Sequence, residues 1–193
     1  MKIAHIAIIL VLIIVALAIL FYPVKPKSTL IIAVKDVPRN FELGNITSLK
    51  LNFSEVSVHR ALGDEQINTS TDEMSSIESN ETQEAGWFVV VDETQTVDLL
   101  QFTNVSKILG QNDLDPGKYT QIRLKIDSGS VTIDNVTYDL IVPSKVLKLN
   151  RGFFLEEGTT LKLTLDFNVE KSLVRSNNMF KLKPVVAIIS EKL

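Results

Sequence analysis

Leu161-Lys162-Leu163-Thr164-Leu165-Asp166-Phe167 alternates apolar and polar side chains without a break. Successive side chains of a β-strand point to opposite faces. The run therefore sets Leu161, Leu163, Leu165 and Phe167 on a core and Lys162, Thr164 and Asp166 in water. The same period of two recurs along the chain. Leu30, Ile32 and Val34 share a face, as do Leu49, Leu51 and Phe53 against Lys50, Asn52 and Ser54. Ile122, Leu124 and Ile126 alternate with Gln121, Arg123 and Lys125. The phase slips between Phe53 and Val56, which predicts a β-bulge near Ser54-Glu55.

Turn chemistry separates these runs. Asp134-Asn135 is a two-residue turn signal that pairs Ile133 with Val136 and Val131 with Tyr138, because Asn tolerates positive φ. Asp115-Pro116-Gly117 marks another turn. Residues 87–91 are apolar on both faces and are expected to form a central strand. Residues 103–109 are expected to form one short helix, capped by Thr103 or Asn104 and stopped by Gly110. Many short strands with Gly, Pro and Asn turns predict an all-β domain, an Ig-like or transthyretin-like β-sandwich with that one short helix.

A different segment precedes this domain. Residues 6–22 are all apolar or aromatic, and counted from Ile3 the stretch is 20 residues long. At about 1.5 Å per residue that length reaches roughly the 30 Å of a bilayer core. The expected organisation is an N-terminal transmembrane helix or signal segment at 1–22, a juxtamembrane linker at 23–28, and an extracytoplasmic β-sandwich at 29–193. Tyr22 suits the interface, and Lys25 and Lys27 can snorkel. Ala16-Leu17-Ala18 has the form of a signal-peptidase site. Cleavage there leaves Ile19-Leu20-Phe21-Tyr22 as a very apolar new terminus, which favours an uncleaved anchor. The Lys bias across the segment is too weak to set orientation.

Orientation is better read from six Asn-x-Ser/Thr sites, at Asn45, Asn52, Asn68, Asn80, Asn104 and Asn135. With 12 Asn and 29 Ser plus Thr in 193 residues, chance supplies about two. These are the candidate glycosylation sites of an extracytoplasmic face. The acidity is concentrated as well. Residues 61–106 carry 10 acidic and no basic side chains, although the whole chain is only at −3. Residues 63–85, rich in Ser, Thr, Glu and Asn, are expected to be a long acidic loop. Nothing resembles a basic nucleic-acid footprint.

Chemistry is sparse. With no cysteine, thiol catalysis, zinc–thiolate sites and iron–sulfur clusters are excluded. His5 lies in the apolar segment and His59 ends an alternating run. Glu55 and His59 share a strand face but lie about 13 Å apart by strand geometry, too far to ligate one metal. Asp64, Glu65, Asp72 and Glu73 lack calcium-loop spacing. No serine sits in a nucleophile elbow, and there is no phosphate-binding glycine loop. Trp87, Phe88, Phe153, Phe154 and Tyr138 form either a sugar-binding platform or core packing. No catalytic, cofactor-binding or metal residues are predicted, and no cofactor.

An ordered series of segments carries a resemblance. It comprises Leu30-Ile31-Ile32-Ala33-Val34-Lys35-Asp36-Val37-Pro38, Val56-Ser57-Val58-His59, Trp87-Phe88-Val89-Val90-Val91 with Val97-Asp98-Leu99-Leu100, and Pro116-Gly117-Lys118-Tyr119-Thr120-Gln121-Ile122-Arg123-Leu124. Leu147-Lys148-Leu149, Leu163-Thr164-Leu165-Asp166-Phe167 and Phe180-Lys181-Leu182-Lys183-Pro184-Val185 complete it. Together they resemble the domain of unknown function 4382 family of exported bacterial and archaeal proteins, over most of residues 29–187. The resemblance implies an extracytoplasmic β-sandwich and no particular activity. Members are often lipoproteins. This chain lacks the cysteine for acylation, so its apolar helix has to serve as the anchor.

The function expected from these features is a non-catalytic, membrane-anchored cell-surface domain. It is held in the membrane by residues 3–22 and binds a surface protein, a glycan or an envelope component. The alternatives are a fibre subunit that donates residues 19–34 as a strand and a metal-dependent enzyme using Glu55, His59 or the acidic loop.

Overall fold

The computed structural model describes residues 26–36, 45–61, 85–103, 105–177 and 179–193. The expected anchor at 1–22 and nearly all of the acidic loop at 63–85 lie outside them. Among the described residues no helix is long and apolar enough to cross a membrane.

The strands are β1 (Ser28–Asp36), β2 (Ile46–Arg60), β3 (Gly86–Val91), β4 (Gln95–Asp98), β5 (Lys107–Leu114), β6 (Gly117–Ile133) and β7 (Val136–Ile141). They continue with β8 (Val146–Leu149), β9 (Phe153–Leu155), β10 (Thr160–Phe167), β11 (Leu173–Ser176), β12 (Met179–Leu182) and β13 (Val186–Lys192). A 3-10 turn covers Leu99–Phe102 and one short helix, α1, covers Val169–Ser172. The strands form two sheets. The smaller runs β13-β10-β1-β5, and the larger runs β11-β12-β7-β6-β2-β3, with β4 also on β2 and β8 and β9 also on β6.

The alternating runs become the two inner faces. Leu30, Ile32, Val34, Leu163, Leu165 and Phe167 meet Leu49, Leu51, Phe53, Val56, Val58, Ile122, Leu124 and Ile126 in one buried core. Phe53 and Phe167 touch edge-to-face across it at 6.2 Å. β1 lies between β10 and β5, and Ile31 and Ala33 on its second face are buried as well as Leu30, Ile32 and Val34. Its pairing with β10 is parallel and joins residues more than 100 positions apart, whereas its pairing with β5 is antiparallel.

The 134–135 hairpin has the predicted register, with Ile133 opposite Val136 and Val131 opposite Tyr138. Asp134 and Asn135 have φ of 49° and 65°, the left-handed pair that such a turn requires. The bulge also falls where the phase slip puts it, since Phe53 pairs with Ile126 and Glu55 with Lys125, leaving Ser54 without a partner residue.

Two expectations are corrected. Residues 103–109 do not form a helix. The nearest helical turn is at Leu99–Phe102, started by Asp98, whose side chain accepts from the Leu100 N–H. Residues 107–114 instead form β5, which pairs with β1. Gly110 does not stop a helix. A Cβ there would stand 2.9 Å from Val91 Cγ2, so glycine permits the close approach of β5 to β3. Among the described residues, 87–91 are not a central strand either. β3 closes one side of the large sheet, and Trp87 and Val89 face outward, 38% and 43% exposed. Its apolar outer residues reflect that position, not burial on both faces.

The two long sides of the sandwich differ. Along β3 and β5 the sheets are tied together. Asn112 Nδ2 donates to the Val89 carbonyl at 2.8 Å and Gln95 Nε2 to the Leu109 carbonyl at 2.6 Å. Along the other side the outer edge of β13 has no strand partner among the described residues.

Candidate functional site

Three of the six candidate glycosylation residues fall among the described residues with known side-chain surroundings. Asn45 and Asn135 are both exposed and lie at the same end of the molecule. There the Asp134 N–H donates to the Asn45 carbonyl at 3.1 Å, and the Asn45 N–H donates to Asp134 Oδ1 at 3.2 Å. Asn52 sits mid-strand in β2, between Thr96 of β4 and Ser128 of β6, half-buried with its Oδ1 enclosed. Asn68, Asn80 and Asn104 lie outside the described residues.

The aromatic residues singled out by sequence do not form one platform. Tyr138 packs on Phe180, while Phe88 and Phe153 both contact Tyr119 inside the sandwich. Phe154 is 63% exposed at the open side. A cavity of about 180 Å³ opens beside it, lined by Ile122, Phe153, Leu161, Leu163 and Ile188, with Arg151 and Ser190 also in its wall.

Trp87 stands apart, on the outer face of the large sheet, where strand pairing assembles a polar group around it. One cross-strand row is Trp87–His59–Gln121, the next Val89–Ser57–Arg123–Lys148, and the third Glu55–Lys125. The Arg123 guanidinium carbon lies 3.5 Å from the Trp87 ring centre, a close cation–π contact. The Arg123 Nε–H donates to Gln121 Oε1 at 3.1 Å, and Gln121 in turn donates to Asn150 Oδ1. His59 holds Thr120 Oγ1 through Nδ1 at 3.0 Å, and its ring is 5.0 Å from that of Trp87. Arg123 is thereby fixed in direction by a ring and an amide, while its two terminal nitrogens have no hydrogen-bond partner among the described residues.

Glu55 and His59 share this face, as expected from β2, and the bulge at Ser54 does not bring them onto one centre. Among the described residues no three His, Cys, Asp or Glu side chains converge. Asp64, Glu65, Asp72 and Glu73 lie outside the described residues.

Beneath this face, Arg60 is buried to 1% exposure. It donates to the Pro116 carbonyl at 2.6 Å and reaches Asp115 Oδ2 at 3.3 Å. Tyr119 OH donates to the Asp115 carbonyl at 2.8 Å, and its ring stacks on Phe153 at 5.1 Å. Burial pushes the Tyr119 phenol above its ordinary value. The Arg60 charge opposes that rise and the Asp115 charge adds to it.

Sequence reasoning named Trp87 and His59 but passed over Arg123, Gln121, Lys148, Asn150 and Arg60. Gln121 and Arg123 share β6, and the pairing of β6 with β8 brings Lys148 and, just past β8, Asn150 to them. A signal did exist for Arg60, since it continues the inward parity of Val56 and Val58.

Residues 27–184 match the family described as "Domain of unknown function (DUF4382)". No curated protein matches the chain. One solved structure, a candidate cell adhesion protein from Bacteroides eggerthii, aligns with 86% of this chain at 13% identity and a TM-score of 0.32, a likeness too loose to carry an argument. The chain spans 55% of that protein's length.

Proposed function

The chain belongs to the DUF4382 family, and from that premise we propose that it is a non-catalytic binding domain displayed outside the cytoplasm. Residues 3–22 anchor it in the membrane. In this reading the sandwich is Ig-like or transthyretin-like, and its partner is a surface protein, a glycan or an envelope component.

One observation carries the reading: the polarity of the domain. The chain leads into β1 at Pro26, which packs beside Gly158 at the end that also holds the 115–117 turn. The exposed Asn45 and Asn135 stand at the opposite end, where β2 begins and β6 turns into β7. An anchor before residue 26 and glycans at Asn45 and Asn135 would then point in opposite directions. That arrangement suits a domain held at its base and coated at its tip. The test is protease treatment of intact cells followed by membrane fractionation and mass spectrometry. Digestion of residues 26–193 from outside, with a membrane-bound fragment retaining Met1 or Lys2, is the expected result. Full protection of the domain in intact cells overturns it.

The outer edge of β13, which no strand pairs among the described residues, favours a second reading, a fibre subunit that grows by strand addition. β1 constrains that reading. Residues 28–34 already occupy the middle of their own sheet, between β10 and β5. Of the stretch 19–34, only residues 19–27 remain to be donated without dismantling the small sheet.

A further inference from the structure

The outer face of the large sheet concentrates positive charge on a chain whose net charge is −3. Arg123 and Lys125 are two residues apart on β6, hence on one face, and Lys148 lies directly across from Arg123 on β8. None of the three is in an ion pair among the described residues. Lys125 and Lys148 are both exposed. Glu55, opposite Lys125, is the one carboxylate in these cross-strand rows.

The face is ordered as well as charged. The Trp87 ring lies against the Arg123 guanidinium at 3.5 Å, and Gln121 holds its Nε–H at 3.1 Å. A guanidinium held this way presents its terminal N–H groups in a fixed fork, which matches the two oxygens of a carboxylate. Gln121 and Asn150 add amide groups that can hydrogen-bond hydroxyls. The exposed part of Trp87 offers an apolar rim to the face of a ring.

We propose that this face binds an acidic polysaccharide, a chain of sugars bearing repeated carboxylates. The inference rests on the surface-displayed binding domain proposed above and names the class of its partner. Arg123 takes one carboxylate in bidentate fashion, Lys148 and Lys125 take its neighbours along the polymer, and Gln121, Asn150 and Trp87 meet the rings. An acidic peptide fits the same charge less well. Arg clusters also take acidic peptide motifs, but an extended peptide gains further affinity from a free strand edge or from apolar pockets. The β3 edge next to Trp87 is already engaged, since Asn112 occupies the Val89 carbonyl, and the cross-strand rows form an open sheet face.

The test is binding of the full chain in detergent micelles to polygalacturonate, with neutral dextran and poly-glutamate as comparison polymers. The expected result is binding to polygalacturonate that weakens as salt rises, with little binding to dextran and weaker binding to poly-glutamate. Arg123→Gln should weaken binding about tenfold or more, as should the double change Lys125→Gln with Lys148→Gln, as expected for loss of charge-assisted contacts. Lys107→Gln, an exposed cation on β5 of the other sheet, should leave binding unchanged. The two lysines are exposed, so their replacement reports on binding even if Arg123→Gln disturbs the fold. Polygalacturonate binding that survives the double lysine change overturns the proposal, as does poly-glutamate binding that equals or exceeds it. The protease experiment reads location alone. A domain that binds polygalacturonate but is protected in intact cells would keep this site and discard the displayed location.

Discussion

Arg60 donates to the carbonyl oxygen of Pro116 at 2.6 Å from a position that is 1% exposed. The contact ties the last residue of β2 to the turn between β5 and β6, so it joins the large sheet to the small one at one end of the sandwich. Its Asp115 partner is half-exposed and contributes as a surface carboxylate does. Replacing Arg60 with Ala removes a buried charge, its hydrogen bond and its volume together. The expected loss is about 3 kcal/mol or more, read from the denaturant midpoint. Asp115→Asn should cost about 1 kcal/mol or less. Arg60→Lys should not restore stability, because an ammonium cannot span the same two acceptors.

Gly117 is coupled to Arg60. Its φ is 148°, and a Cβ there would stand 3.0 Å from Arg60 Nε. Gly117→Ala should therefore cost about 1–3 kcal/mol through backbone strain and crowding. In an Arg60→Ala background the crowding disappears, so the double variant should lose less than the sum of the two single losses. A double-mutant cycle in urea reads this directly.

Tyr119 predicts an alkaline weakness. Its folded-state pKa is raised, chiefly by burial, whereas the unfolded phenol titrates near 10. Between those two values the folded chain holds the proton more tightly than the unfolded chain. The associated stability is complete below about pH 10 and is lost as pH rises through the folded value. Tyr119→Phe should flatten the fall in melting temperature above pH 10, though it also removes the hydrogen bond to the Asp115 carbonyl.

The β6–β7 turn separates conformation from contact. Asn135 has φ of 65° and is exposed. In protein made without glycosylation, Asn135→Gly should be neutral or slightly stabilising. Asn135→Val should lose about 1–2 kcal/mol, the cost of a left-handed β-branched residue. Equal melting temperatures for the two variants would argue against the turn geometry.

Trp87 and Phe53 are both aromatic residues in strands of the same sheet, but their positions predict very different stability losses. Phe53 is buried at the sheet interface and Trp87 is 38% exposed on an outer strand. Phe53→Ala should cost about 3–5 kcal/mol and Trp87→Ala about 1 kcal/mol, measured by equilibrium unfolding. Trp87→Ala should weaken polygalacturonate binding by more than its stability loss explains.

The strands were legible wherever alternation ran unbroken. Residues 161–167, 121–126 and 49–53 each announce a face, because the two-residue period is a local property of the backbone. The 134–135 turn carried its register with it, since a two-residue loop leaves no freedom in how the flanking residues pair. Residues 107–114 were illegible for a related reason. Gly110 and the extra residue Leu109, which falls opposite the step from Ile32 to Ala33, break the alternation that would have marked a strand. The run 87–91 misled because an apolar outer face looks the same in sequence whether a neighbouring strand, solvent or a stacked arginine covers it.

By itself, then, the order of residues determined the all-β class, the individual pleated faces, the bulge at Ser54 and the hairpin at Asp134-Asn135. Each of these depends on steric preferences that act within a few residues. Only the tertiary structure decided that β1 lies beside β10, that β3 is an outer strand, and that Arg123, Lys148 and Trp87 share one surface. Those outcomes depend on pairing between segments far apart in the chain, where many registers satisfy the local pattern and packing of the common core selects one.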